Sequence, residues 1–186
     1  MNIMEDLYHY YDASTGPFRN LSDLTVEEAE TVQSELRLRK KGFASKRGDD
    51  YLEVRRGLEA LTRKLFVAKG GRPVRQFPHY MTLGSCPWLL EWYPQGRLLQ
   101  IPFTAFQPDT ISFTYGDLFP TMRLQDGKPY RGQVYTAAEI ETVIRKFGLP
   151  QVWNRTGAHG PERYIEVQVW DDSPLPSFAG MPVREF

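Results

Sequence analysis

The stretch Tyr164-Ile165-Glu166-Val167-Gln168-Val169-Trp170 decides the fold of this chain and the place where its chemistry could lie. Its residues alternate with the period of a β-strand, so Glu166, Gln168 and Trp170 share one face of that strand. A carboxylate there must face solvent, pair with a base or line a cavity, because burying it unpaired is costly. A solvent-facing position is the common case. The neighbouring Trp170 on the same face favours a cleft.

The same criteria, applied outward from this stretch, predict the remaining elements. Strands are expected over Tyr8–Tyr11, His79–Leu83, Leu98–Phe103, Thr110–Tyr115 and Arg163–Trp170. Helices are expected from Thr25 to about Lys41, from Asp50 to Lys69 and over Thr136–Phe147, with a short one over Pro87–Tyr93. Helices come first and strands mostly later, which is typical of an α+β protein. We therefore expect N-terminal helices packed on a mostly antiparallel β-sheet, single or split.

Local signals place the ends and the apolar faces of the three long helices. Capping boxes open the first and third helices, formed by Thr25 with Glu28 and by Thr136 with Glu139. Glycines are expected to end them, at Gly42, Gly70 and Gly148. The stripes predicted to face the core are Val26, Ala29, Val32 and Leu36, then Leu58, Leu61 and Leu65, and finally Ile140, Val143, Ile144 and Phe147.

Length and composition predict one ordinary globular domain over residues 1–186. The chain has 41% hydrophobic and 25% charged residues, which suits a single core. Its one cysteine, Cys86, excludes an intrachain disulfide and predicts a cytoplasmic protein. The acidic start lacks a signal-peptide pattern, and no apolar stretch reaches about 18 residues, so no membrane partner is expected.

Charge is unevenly distributed, although the formal net charge is zero. Residues 1–36 hold eight acids and one base, net −7, whereas residues 37–75 hold thirteen bases and four acids, net +9. Such a basic segment could hold a phosphate-bearing ligand or nucleic acid. The alternative, which is the more common, is a pair of solvated helix faces that attract each other within the molecule.

The sequence gives little indication of a metal site or of a catalytic cysteine. The three histidines, His9, His79 and His159, form no metal-binding pattern, so no metal site is expected. Cys86 could be the nucleophile of a Cys-His hydrolase, since it lies just before a predicted helix. A small buried apolar residue is the more common role of such a cysteine.

Two further segments contain candidate binding residues. In the Tyr8–Tyr11 cluster, His9 could donate a hydrogen bond to a ribose hydroxyl while a neighbouring tyrosine stacks on a base. A packed, hydrogen-bonded histidine is the usual alternative. The segment Ser112–Met122 is dense in hydroxyls and aromatic rings, and its Asp117 comes just past a strand end, where ligand loops often lie. It could equally be a structural turn.

Some of these residues resemble a known family. The early Leu7-Tyr8-His9-Tyr10 and the late Glu166-Val167-Gln168-Val169, followed by Asp172-Ser173-Pro174, are similar to the two ends of ADP-ribosyltransferase-like domains, in particular the DNA-modifying toxin branch. The run Pro78–Gly84 also resembles a central strand of such domains. The whole chain further resembles a group of bacterial proteins, through Phe18–Leu24 and Ser112–Met122, and that likeness implies no function.

The family resemblance implies NAD as a substrate and a role for several residues. Glu166 would be catalytic, binding the ribose 2′-hydroxyl and stabilising the oxocarbenium-like ribose that forms when nicotinamide leaves. His9 would hold a ribose, and Tyr10, Tyr51 or Tyr80 would stack on nicotinamide. Ser112, Thr114 or Tyr115 would supply the middle motif, and arginines would bind the pyrophosphate. The acceptor could be a nucleic acid, a protein or water. The alternative function is a non-catalytic module that binds nucleic acid or a protein partner.

Overall fold

A computed structural model describes residues 6–39 and 43–180. It contains five strands, which are β1 (Asp6–Asp12), β2 (His79–Leu83), β3 (Gly96–Pro102), β4 (Ile111–Tyr115) and β5 (Ile165–Val169). They form one antiparallel sheet in the order β3-β1-β2-β5-β4. The predicted α+β class is confirmed, and the described strands make a single sheet rather than a split one. The Glu166 strand, β5, lies inside this sheet between β2 and β4.

The three predicted long helices are present, and two short ones join them. The helices are α1 (Val26–Arg39), α2 (Tyr51–Ala68), α3 (Leu118–Arg123), α4 (Ala137–Phe147) and α5 (Pro150–Trp153). Both capping boxes form, and α4 ends at Gly148 with a positive φ of 79°. The expected end of α1 at Gly42 lies outside the described residues. A 3-10 helix over Pro87–Trp92 replaces the predicted short helix.

The two faces of the sheet differ in chemistry. One face is apolar and packs against α4, and its buried residues include Leu7, Met81, Leu83, Leu99, Ile111, Phe113, Ile165, Val167, Ile140 and Ile144. The opposite face carries Thr82, Ser112, Thr114, Glu166 and Gln168, all of them buried. Because side chains alternate along a strand, both faces come from the same five segments.

Helix α2 covers the polar face of the sheet. The residues that α2 buries therefore differ from the predicted leucine stripe. The buried residues are Leu52, Glu59, Thr62 and Phe66, while Leu61 of the predicted stripe is 42% exposed. The leucine stripe is therefore only partly buried, since Leu58 and Leu65 are half-buried, and the buried polar residues of α2 face a polar sheet surface. Glu59 accepts the hydroxyl of Tyr80 from β2 there, whereas Thr62 donates to Leu58 O of its own helix.

The stripe predicted for α1 was wrong at Val26 and Val32, whereas its Ala29 is buried and its Leu36 is half-buried. The residues that α1 buries are Ala29 and Gln33, whereas Val26 is 61% exposed and Val32 is 37% exposed. Charged residues dominate this helix, so its few apolar side chains define no clear inner face.

Ion pairs join the acidic and basic segments of the chain. Arg37 pairs with Glu30, and Arg75 pairs with Asp23 and Asp172. Contacts of this kind were the alternative explanation of the charge distribution, and they occupy several cations of the basic segment. Within the described residues, no helix is long and apolar enough to cross a membrane.

Candidate functional site

Glu166 is the central residue of the polar sheet face. Its register partners are Thr82 on β2 and Thr114 on β4. The residue is only 6% exposed, so the solvent-facing interpretation of this position is wrong. Its Oε1 accepts a hydrogen bond from Gln168 Nε2 at 3.1 Å. Burial, followed by the negative charge of Asp117, raises the pKa of Glu166 well above its usual range.

Asp117 is the second carboxyl group of this site. It precedes α3, where its Oδ1 accepts the N–H of Phe119 at 2.8 Å and its Oδ2 accepts the hydroxyl of Tyr164 at 3.1 Å. Burial raises the Asp117 pKa, and the bonds from Phe119 and Tyr164 oppose that rise.

Arg55 provides a fixed positive charge beside the carboxyl groups. Its Nε donates to Glu59 Oε1 at 3.0 Å and to Ser22 Oγ at 3.0 Å, and its Nη2 donates to Asn20 Oδ1 at 3.0 Å. The guanidinium lies 4.8 Å from the centre of the Tyr80 ring. Its charge lowers the pKa of both Glu166 and Asp117 against the effect of burial. The arginine is therefore preorganised by protein contacts.

Aromatic rings and a second arginine border the site. Tyr51 stacks on Phe119 with ring centroids 5.0 Å apart and planes 1° apart, and Arg47 lies 4.2 Å above the other side of Tyr51. Burial raises the pKa of nearby Tyr93, whereas the charge of Arg47 lowers it. Tyr51, Phe119 and Asp117 are each partly exposed. Aromatic rings and the Arg47 guanidinium therefore lie between the buried carboxyl group of Glu166 and the protein surface.

One buried oxygen at this site has no hydrogen-bond partner in the described part of the chain. It is Oε2 of Glu59, a fully buried side chain whose Oε1 accepts the Tyr80 hydroxyl at 2.7 Å. A buried carboxylate oxygen normally accepts a hydrogen bond, from the protein, water or a ligand. This oxygen marks a place where a ligand hydroxyl or a water can bind.

The structure places His9 on the opposite, apolar face of the sheet. His9 pairs with Leu99 in register, and its neighbours Tyr8 and Tyr10 point to the Glu166 side. Both ring nitrogens are occupied, since Nδ1 donates to Tyr80 O at 3.0 Å and Nε2 accepts the N–H of Phe18 at 2.9 Å. Burial lowers its pKa to about 4. One ligand cannot contact both His9 and Glu166 through the sheet, so the expected pairing of these residues does not form.

Tyr115 also lies on the apolar face. Its hydroxyl donates to Phe147 O at 3.1 Å and to Gly148 O at 2.8 Å, and it accepts Trp153 Nε1 at 3.0 Å. It is fully buried, and burial raises its pKa to about 12. These contacts give it an anchoring role at the end of α4.

Tyr80, Ser112 and Tyr10 lie on the Glu166 side. Tyr80 joins Arg55 and Glu59, as described above. Ser112 is fully buried, donating to Gln168 Oε1 at 2.9 Å and accepting Trp170 Nε1 at 2.9 Å, so it supports the strand rather than facing a ligand. The Tyr10 hydroxyl accepts the Cys86 N–H at 2.6 Å. Of the five predicted cofactor-binding residues, Tyr80 alone is in contact with the charged groups.

The structure gives little support to a cysteine hydrolase, and it shows no metal-binding group among the described residues. Cys86 is 5% exposed, and burial raises the pKa of its thiol, which disfavours the thiolate that a cysteine hydrolase needs. Among the described residues there is no group of three or more His, Cys, Asp or Glu side chains that could hold a metal.

Sequence reasoning named Asp117 only as part of a candidate ligand loop, and it missed Arg55 and Tyr164 as members of the cluster. The signal for Asp117 was its position just past a strand end. Nothing in the sequence distinguishes Arg55 from the other twelve basic residues in residues 37–75.

Comparison with known proteins adds no relative, because the chain matches no protein-family model, no curated protein and no solved structure.

Proposed function

We propose that the polar face around Glu166 binds NAD and cleaves its bond to nicotinamide, as an ADP-ribosyltransferase or an NAD-cleaving enzyme does. The observation that supports this most strongly is the presence of two carboxyl groups, the buried Glu166 and the partly exposed Asp117, beside the fixed cation Arg55. Carboxyl groups in dry surroundings serve acid–base chemistry and stabilise a developing cation. A cytoplasmic location would expose such an enzyme to NAD.

Each part of the substrate has a matching group in this proposal. Glu166 binds the 2′-hydroxyl of the nicotinamide ribose, as the family resemblance implies. The pyrophosphate is attracted to Arg47 and Arg55, whose guanidinium groups suit bidentate contacts with phosphate oxygens. The partly exposed ring of Tyr80 can stack on a planar base. His9 and Tyr115 take no part, because they lie behind the sheet. The acceptor of ADP-ribose is a nucleic acid, a protein or water.

Calorimetric titration with NAD, combined with chromatography of released nicotinamide, tests this function. Wild type is compared with Glu166→Gln, which preserves the size of the side chain, and with Glu141→Gln, a matched change on the exposed side of α4. We expect saturable binding in all three proteins. Nicotinamide release should fall by about 100-fold or more in Glu166→Gln alone, because an amide cannot exchange a proton with the ribose 2′-hydroxyl as a carboxyl group can. Neither heat nor nicotinamide from wild type at millimolar NAD would contradict the proposal and favour the binding-module alternative.

A further inference from the structure

We infer that Gln168 is a positioning residue for Glu166, whose carboxyl oxygen Oε2 it directs towards the 2′-hydroxyl of the nicotinamide ribose. This role rests on the proposed cleavage of NAD and adds a residue to that site. A chain of buried hydrogen bonds on the polar face of the sheet supports it, because the two ends of the chain determine how the Gln168 amide is oriented.

One end of the chain is the indole of Trp170. Its Nε1–H group can only donate, and it donates to Ser112 Oγ at 2.9 Å. The Ser112 hydroxyl donates in turn to Gln168 Oε1 at 2.9 Å. All three side chains are fully buried, so bulk water does not compete for these hydrogen bonds. The carbonyl oxygen of the Gln168 amide therefore faces Ser112.

The other end of the chain is the backbone carbonyl of Gly116, which can only accept. The Thr114 hydroxyl donates its one proton to this carbonyl at 2.9 Å. Thr114 Oγ1 can then only accept from the Gln168 amide, and Gln168 Nε2 lies 3.0 Å away. Both ends of the chain therefore assign the same orientation to the amide, with its NH₂ group towards Thr114.

The second proton of this NH₂ group binds Glu166. Gln168 Nε2 donates it to Glu166 Oε1 at 3.1 Å, whereas a reversed amide would bring two acceptor oxygens together. The bond fixes the rotation of the carboxyl group and makes Oε2 the oxygen that meets a ribose hydroxyl. Glu166 is 6% exposed and Gln168 is 0% exposed, so a ligand reaches Glu166 and not the residue that orients it.

A purely structural role of Gln168 must be separated from this one, because loss of a buried hydrogen bond lowers stability in either case. The substrate provides the separation. If Gln168 directs Oε2 to the 2′-hydroxyl, the contribution of that hydroxyl to the rate depends on Gln168. A side chain that only stabilises the fold leaves this contribution unchanged.

The experiment compares nicotinamide release from NAD with release from the NAD analogue whose nicotinamide ribose lacks the 2′-hydroxyl. The proteins are wild type, Gln168→Met, Glu166→Gln and Tyr115→Phe. Gln168→Met preserves the length of the side chain but donates no hydrogen bond. Tyr115→Phe is the matched control, since it removes buried hydrogen bonds on the other face of the sheet. Gln168→Glu, which keeps the acceptor for Ser112 and loses the NH₂ donor, replaces Gln168→Met if that variant does not fold.

We expect kcat for NAD to fall by about 100-fold in Gln168→Met with KM unchanged, which is the effect of a small misplacement at a catalytic group. The ratio of kcat/KM for NAD to kcat/KM for the analogue should be equally large in wild type and Tyr115→Phe. It should fall in Gln168→Met to the value found for Glu166→Gln.

The outcomes separate this role from the proposed function. Active wild type with the same ratio as Gln168→Met would overturn the positioning role and leave NAD cleavage intact. A fall in the ratio that Tyr115→Phe shares would also overturn that role, since lost stability would then explain it. Absence of nicotinamide from wild type would overturn the proposed function, and the role of Gln168 with it.

Discussion

At the scale of single residues, Glu166 is held in a setting that opposes its ionisation. A surface glutamate loses its proton near its ordinary pKa, but here burial and the Asp117 charge keep the proton bound to a much higher pH. Such an arrangement costs folding free energy at neutral pH. Proteins tolerate costs of this kind at functional sites.

Glu166→Gln is therefore expected to stabilise the protein at pH 7 and above. The folded-state pKa lies above the unfolded value, so the stability that this group contributes is present below about pH 4 and is lost as pH rises through the folded-state pKa. Urea unfolding should show a gain of about 1 kcal/mol or more at pH 8, with little difference at pH 4. A loss of stability at pH 8 would show that Glu166 is a structural hydrogen-bonding group.

At the scale of elements, sequence signals located helices and strands well because those signals are local. The capping boxes of Thr25 and Thr136 act within one turn, and the period of β5 depends only on neighbouring residues. The faces of α1 and α2 were predicted only in part, since burial of Gln33 and Glu59 depends on what lies beneath each helix. Apolar periodicity assumes an apolar partner, and α2 covers a polar sheet face.

Only the locally determined parts of the candidate site could be predicted from the sequence. Period-2 alternation placed Glu166 and Gln168 on one face, and the position of Asp117 after a strand was visible in the sequence. The side of the sheet on which His9 lies depends on the pairing register of β1 with β2 and β3. A shift of one residue would exchange His9 for Tyr8 or Tyr10. Register follows from the whole fold, so local sequence could not determine it.

Tyr115 links three elements, and its removal should affect stability without affecting ligand binding. Tyr115→Phe leaves the carbonyls of Phe147 and Gly148 and the indole N–H of Trp153 without the hydroxyl. We expect a loss of about 1–3 kcal/mol in the free energy of unfolding, measured in urea. NAD affinity should stay unchanged, because this residue lies behind the sheet. Weaker NAD binding in a folded Tyr115→Phe protein would contradict the assignment of the site to the Glu166 face.

At the scale of the whole molecule, two buried histidines make the stability of the fold depend on pH. His9 and His79 lie on either side of Phe18, and burial lowers the pKa of each to about 4. Their folded-state pKa values lie below the unfolded value of about 6.5. Stability from this source is present above pH 6.5 and is lost as pH falls toward 4.

Denaturation between pH 7 and pH 4 should show this loss. We expect the wild-type free energy of unfolding to fall by about 3 kcal/mol for each of the two histidines over that range, to an order of magnitude. His9→Gln should be less stable at pH 7 and should show a shallower dependence on pH. The exposed His159→Gln is the matched control and should follow wild type. An unchanged slope in His9→Gln would show that another group carries the dependence.

The two faces of the sheet differ in role, since the apolar face forms the core and the polar face carries Glu166. Our central claim is that NAD binds at the polar face. An NMR titration of the ¹⁵N-labelled protein with NAD tests this directly. We expect saturable shifts at the backbone N–H groups of Leu118, Phe119 and Glu166 and at the side chain of Arg55. Shifts confined to His9, Phe18 and Tyr115, or no shifts at millimolar NAD, would contradict it.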